Sequence, residues 1–119
     1  MLTADTHPLI TGRIEKYLMT NANFDDAAWR GWQINWFTVG LQAFEARLAS
    51  ERQTGIFFHG DTPTMADICL ASIIVVMRVF KIDVADIPHI NRIIAECEKH
   101  TAFAKADPAR QVGAPAAAK

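Results

Sequence analysis

Gly60-Asp61-Thr62-Pro63-Thr64-Met65-Ala66-Asp67-Ile68-Cys69-Leu70-Ala71-Ser72-Ile73-Ile74-Val75-Val76-Met77-Arg78-Val79-Phe80 decides the fold. Thr64 and Asp67 stand three residues apart, the spacing of a capping box. The hydroxyl can accept the N–H of residue 67, and the carboxylate can accept that of residue 64. Pro63 restricts the incoming chain, and Asp67 puts negative charge at the positive end of a helix dipole. From Ile68 to Phe80 only Ser72 and Arg78 interrupt the apolar run. That predicts a helix over 64–80 with no polar face, buried at the centre of an all-α protein. The β-branched group Ile73-Ile74-Val75-Val76 would also suit a strand, but the length of the run and its cap decide for helix. A membrane span needs about 20 apolar residues, and this run is shorter, with Asp67 and Arg78 at its ends.

The chain has 119 residues, enough for one domain, with 12 basic and 13 acidic residues. So even a balance implies no nucleic-acid or membrane-surface field. Cys69 and Cys97 form neither a disulfide framework nor a metal-type Cys-x-x-Cys, and a reducing, cytoplasmic setting is the default. Met1-Leu2-Thr3-Ala4-Asp5 lacks the basic start and apolar stretch of a signal peptide. His7, His59, His89 and His100 lie in different segments without a helical His pair, so no metal site is expected.

Working outward, Trp29, Trp32, Trp36, Val39, Ala43 and Leu48, with Phe37, Gly40 and Phe44, predict an apolar stripe on a helix over about 26–50. Arg30, Gln33, Glu45, Arg47, Glu51 and Arg52 supply its wet side, and Gly40 marks a close approach between helices. Thr6 and Pro8 suit a helix start, continued from Arg13 to Leu18, with Thr20 to Asn23 as turn. Ile56-Phe57-Phe58 tucks beneath the loop before the central helix. Pro88 opens another helix to about His100, with Ile90, Ile93, Ile94 and Cys97 inward, and a short turn follows at Ala102 to Ala106. The expectation is a bundle of four to five helices over 1–110 and a loose tail over 111–119, where Val-Gly-Ala-Pro-Ala-Ala-Ala-Lys has little to bury.

The stretch Gly60-Asp61-x-Pro63-Thr64-Met65-Ala66-Asp67-Ile68-Cys69-Leu70, followed by Phe80-Lys81-Ile82-Asp83-Val84 and Pro88-x-Ile90, resembles the C-terminal helical domain of glutathione transferases. Asp5-x-His7-Pro8-Leu9 with Arg13 and Tyr17-Leu18, and Phe103-x-x-Ala106-x-Pro108-x-x-Gln111, narrow the resemblance to the zeta class, the maleylacetoacetate isomerases. It covers nearly the whole chain.

The resemblance implies glutathione as co-substrate, a thioredoxin-like N-terminal domain that activates its thiol, and a homodimer or other self-association through apolar surface around Trp29 to Phe44. This chain shows no βαβ pattern and no Ser-Ser-Cys run, so no catalytic residue is assigned to it. By position, His7, Thr11, Gly12 and Arg13 are the glutathione-side candidates, although Ile10-Thr11 stands where the family has asparagines. The family's substrate-facing arginine precedes the Phe-Lys pair. Here that position is Val79, and Arg78, the substrate-side candidate, lies one residue earlier, about 100° round the helix. Isomerisation of a small dicarbonyl acid is the leading function the resemblance implies, by the full-length enzyme and not by this chain alone. Maleylpyruvate isomerase, a general conjugating transferase, and a free-standing interaction domain that keeps caps and core without a cleft are the alternatives. Thr64 and Asp67 are structural.

Overall fold

The computed structural model describes residues 1–114. One turn of π-type helix, Leu2–Thr6, runs into a 3₁₀ turn, His7–Ile10, and these nine residues form a lead-in to α1, Gly12–Asn21. Then come α2 (Asp26–Ser50), α3 (Met65–Val79), α4 (Pro88–Lys99) and α5 (Thr101–Ala106), closed by a 3₁₀ turn at Pro108–Arg110. The described residues contain no strand, so the architecture is all-α with five α-helices. Short polar side chains start several of them: Asp25 accepts the N–H of Ala28 at 2.8 Å, and Asp107 accepts that of Ala109 at 2.9 Å. Thr6 does not cap the first turn with its side chain as expected; it is buried against α2.

The long helix α2 buries Trp29, Phe37, Phe44 and Leu48 of the expected stripe, but its inward face is turned away from Val39 and Ala43. Its buried residues are Trp29, Gln33, Phe37, Leu41, Phe44, Glu45 and Leu48, while Val39 and Ala43 are exposed. At 3.6 residues per turn this face is centred about 130° round from the line of Trp32, Trp36 and Val39. The physical reason is that α2 meets two neighbours. The lead-in lies over the tryptophan side, where the Trp32 indole N–H donates to the Leu9 carbonyl at 2.8 Å, and α4 covers the adjacent face. Gln33 and Glu45, placed on the wet side by sequence, are therefore interior residues. Gly40 does mark a close approach, because a Cβ there would lie 2.1 Å from Thr6 Oγ1.

Helix α3 sends Leu70, Ile73, Ile74 and Met77 into the core. Its capping box is formed, and Asp67 does more than cap. One carboxylate oxygen accepts the Thr64 N–H and hydroxyl, each at 2.8 Å, and the other accepts the Phe58 N–H at 2.8 Å. The residue is 0% exposed, so the loop before the helix is tied to the helix through a buried carboxylate whose charge is met by donors on both sides. The expectation of burial all round does not hold for α3. Met65 and Val79 are each 71% exposed and Ile68 is 52% exposed, and with Ser72 they make one stripe down the length of the helix.

Two side chains of α2 hold the turn between α3 and α4. The Arg30 guanidinium donates to the carbonyls of Phe80 and Lys81, satisfying acceptors that the end of α3 leaves free. Fifteen residues on, about 22 Å along the helix, the Glu45 carboxylate accepts the N–H groups of His89 and Ile90 at the start of α4. Between these clamps Lys81 and Asp86 adopt φ of 51° and 60°, and Ile82, Val84 and Ile87 anchor the turn in the core. At the C-terminal end the Gln111 amide donates to the carbonyls of Lys105 and Asp107. Residues 115–119 of the expected tail lie outside the described residues.

Candidate functional site

His7, Thr11, Gly12 and Arg13 come together at the junction of the lead-in and α1. Thr11 is extended, with φ −83° and ψ 153°, and its hydroxyl donates to the Pro8 carbonyl at 3.1 Å. That turn breaks the chain direction, and α1 begins at Gly12 with no side-chain cap on its first turn. His7, Gly12 and Arg13 are exposed, and a Cβ on Gly12 would meet nothing within 4 Å. An exposed helix start beside an arginine and a histidine offers N–H donors and positive charge to a carboxylate.

Arg78 is elsewhere. It lies on the flank of α3 that faces α4, where its guanidinium donates to Glu98 at 2.6 Å. Both side chains border a groove of about 550 Å³ between α3 and α4, floored by Ile74, Met77 and Ile94 and edged by Lys81 and Asn91. None of His7, Thr11, Gly12 or Arg13 lines it. Val79 sits on the stripe with Met65 and Ile68, so adjacent residues of α3 face different surroundings. The two halves of the sequence-derived site are thus not in one pocket. Sequence reasoning also missed Arg30 and Glu45, whose partners lie 50 and 44 positions away, beyond any local pattern.

Cys97 is buried on the inner face of α4, and burial, then the charges of Asp67 and Glu98, push its thiol up to about 11. It stays a protonated core residue at neutral pH. Among the described residues no group of three or more His, Cys, Asp or Glu side chains is placed to hold a metal ion. No helix among them is long and apolar enough to cross a membrane.

The profile of the family described as Glutathione S-transferase, C-terminal domain, matches residues 40–101, which include the capping box, α3 and α4. This chain belongs to that family. The glutathione transferase domain is similar to a maleylpyruvate isomerase of Ralstonia, 37% identical over 90% of this chain and 50% of that protein. It is also 37% identical to a maleylacetoacetate isomerase of Rhizobium meliloti, over 89% of this chain and 49% of that one. Among solved structures, a maleylacetoacetate isomerase from Methylobacterium extorquens AM1, with bound malonate and glutathione, superposes with a TM-score of 0.89 at 41% identity. That match covers 95% of this chain and 53% of the other. A maleylpyruvate isomerase described as a bacterial zeta-class glutathione transferase gives a TM-score of 0.89 at 35% identity, covering 96% of this chain and 54% of that one. The zeta-class resemblance seen in the sequence is therefore shared by sequence relatives and structures alike. The chain spans about half the length of the curated relatives it matches.

Proposed function

We propose that this chain is the substrate-side half of a zeta-class, glutathione-dependent cis–trans isomerase acting on a small dicarbonyl acid. The observation that carries the reading is that the matches to the isomerases cover 90% and 95% of this chain and about half of each relative. In the whole enzyme the glutathione thiolate adds to the activated double bond, the resulting single bond rotates, and the thiolate leaves again. No atom is gained or lost. The thiolate is generated in a thioredoxin-like half, and the isolated helical domain is inactive.

His7, Thr11, Gly12 and Arg13 form the glutathione side of the cleft, where the first N–H groups of α1 and the Arg13 charge meet a carboxylate of the peptide. Val79, exposed at the end of α3, stands at the substrate side and gives an apolar contact where the family resemblance has an arginine. This favours maleylpyruvate or another altered acid over the usual maleylacetoacetate. Arg78 serves substrate only if its pair with Glu98 opens. The stripe of Met65, Ile68 and Val79 supports an apolar cover, which we assign to the thioredoxin-like half. Exposed Tyr17, Ile34 and Val39 support self-association as a homodimer, in the cytoplasm.

Titration of the ¹⁵N-labelled chain with millimolar glutathione tests the assignment. Amide shifts centred on His7 to Arg13 are expected. No shift, or shifts elsewhere, would instead favour a helical interaction domain that has lost its cleft.

A further inference from the structure

The first turn of α4 is held by a side chain of another helix. Ile87 precedes Pro88 and provides no side-chain cap. The free N–H groups of His89 and Ile90 donate instead to Glu45 of α2, at 2.8 Å to one oxygen and 2.9 Å to the other. The His89 ring adds a contact, with Nδ1 2.5 Å from the first oxygen. Glu45 is 8% exposed, so water cannot readily replace these partners. An ionised carboxylate accepts both backbone bonds, one on each oxygen, whereas a protonated one loses acceptor strength at its hydroxyl oxygen and weakens one of them.

We propose that Glu45 is an acid-operated latch, whose protonation releases the first turn of α4 from α2 while the rest of the helical core stays folded. The remainder of α4 is kept in place by Ile93, Ile94 and Cys97, which do not depend on the carboxylate. Release would loosen Asn91, which lines the groove between α3 and α4, so the latch also sets the shape of that groove.

Burial by itself raises the Glu45 carboxyl, but the Ile90 and His89 N–H groups and the His89 ring outweigh it and hold the group below its ordinary value. A lowered folded-state value means that the latch contributes stability above the unfolded value, about pH 4.3. The contribution is lost as pH falls through the lower, folded value. Among the described residues, His89 from α4 is the titratable group seen in contact with the carboxylate, and its charge helps to lower it. On α2 itself Arg47 is turned to Glu51, at 2.5 Å.

Amide hydrogen exchange on the full chain from pH 6.5 to 3, corrected for intrinsic rates, reads the latch directly. Protection at His89 and Ile90 is expected to fall at least tenfold before protection at Leu41 or Ile74 changes. Glu45→Gln, with one carbonyl acceptor, is expected to show the low protection already at pH 6.5 and no further acid step. The proposal is overturned if Ile90 and Ile74 lose protection together in the unaltered chain, or if Glu45→Gln keeps the acid step. Should that variant fail to fold, ¹³C titration of the Glu45 carboxyl decides. A midpoint coincident with the Ile90 amide transition supports the latch, and a separate midpoint refutes it.

Discussion

The carboxylate of Asp67, in the first turn of α3, accepts the N–H of Phe58 at 2.8 Å from across the preceding loop. The same group holds the Thr64 N–H, so one buried side chain closes the helix cap and fastens the loop. Asp67→Ala strands both N–H groups and is expected to cost about 3 kcal/mol, while Asp67→Asn, which keeps one acceptor, costs less. Urea unfolding followed by circular dichroism gives both numbers. A loss under about 1 kcal/mol for the alanine variant would show the cap alone at work.

Gly40 and Thr6 define a second contact. Alanine is favoured over glycine in a helix by about 1 kcal/mol, yet its Cβ at position 40 would lie 2.1 Å from Thr6 Oγ1. Gly40→Ala is therefore expected to destabilise by about 1–3 kcal/mol, as overpacking does. Adding Thr6→Ala removes the hydroxyl and methyl, so the double variant should recover part of the loss. Additive effects in that cycle would contradict the contact.

Cys97 supplies the alkaline counterpart of the acid latch. Burial, reinforced by Asp67 and Glu98, pushes its thiol up to about 11. A raised folded-state value gives stability that is complete below the unfolded value, about 8.5, and is lost as pH rises towards 11. Unfolding free energy should decline between pH 8.5 and 11, and Cys97→Ala should flatten that decline. In the native chain at pH 8, iodoacetamide is expected to spare Cys97; its modification before unfolding would argue against burial.

The stripe on α3 is surface in this chain. Ile68→Glu is expected to change stability by no more than about 0.5 kcal/mol, as substitutions away from packed features do. It should also leave self-association of the isolated domain, assigned to the surface of Tyr17, Ile34 and Val39, unchanged in sedimentation velocity, whereas Val39→Glu should weaken it. A clean monomer for the unaltered chain at high concentration would remove the premise.

Local chemistry made α3 readable in advance: the Thr64–Asp67 spacing starts the helix where the structure starts it, at Met65. Pro88 did the same for α4. Which side of each helix faces inward was less legible, because that depends on neighbours. α2 has apolar residues around much of its circumference, and the lead-in and α4 divide them, so Gln33 and Glu45 end inside and Val39 outside. The apolar run of α3 gave no warning that Met65, Ile68 and Val79 would be exposed, since a helix buried by its own fold and one partly covered by another domain carry the same sequence pattern. Of the candidate site, His7 to Arg13 share one short contiguous segment, whereas the pairing of Arg78 with Glu98 joins residues 20 apart on two helices.

The central claim is that this domain forms the substrate wall of an isomerase cleft. The most direct measurement is to join the N-terminal half of the Ralstonia maleylpyruvate isomerase, the part this chain does not match, to residue 1 and assay the folded fusion. Glutathione-dependent isomerisation of maleylpyruvate, exceeding that of maleylacetoacetate and reduced by Arg13→Ala, is the predicted result. A folded fusion that binds glutathione and isomerises neither acid would contradict the account.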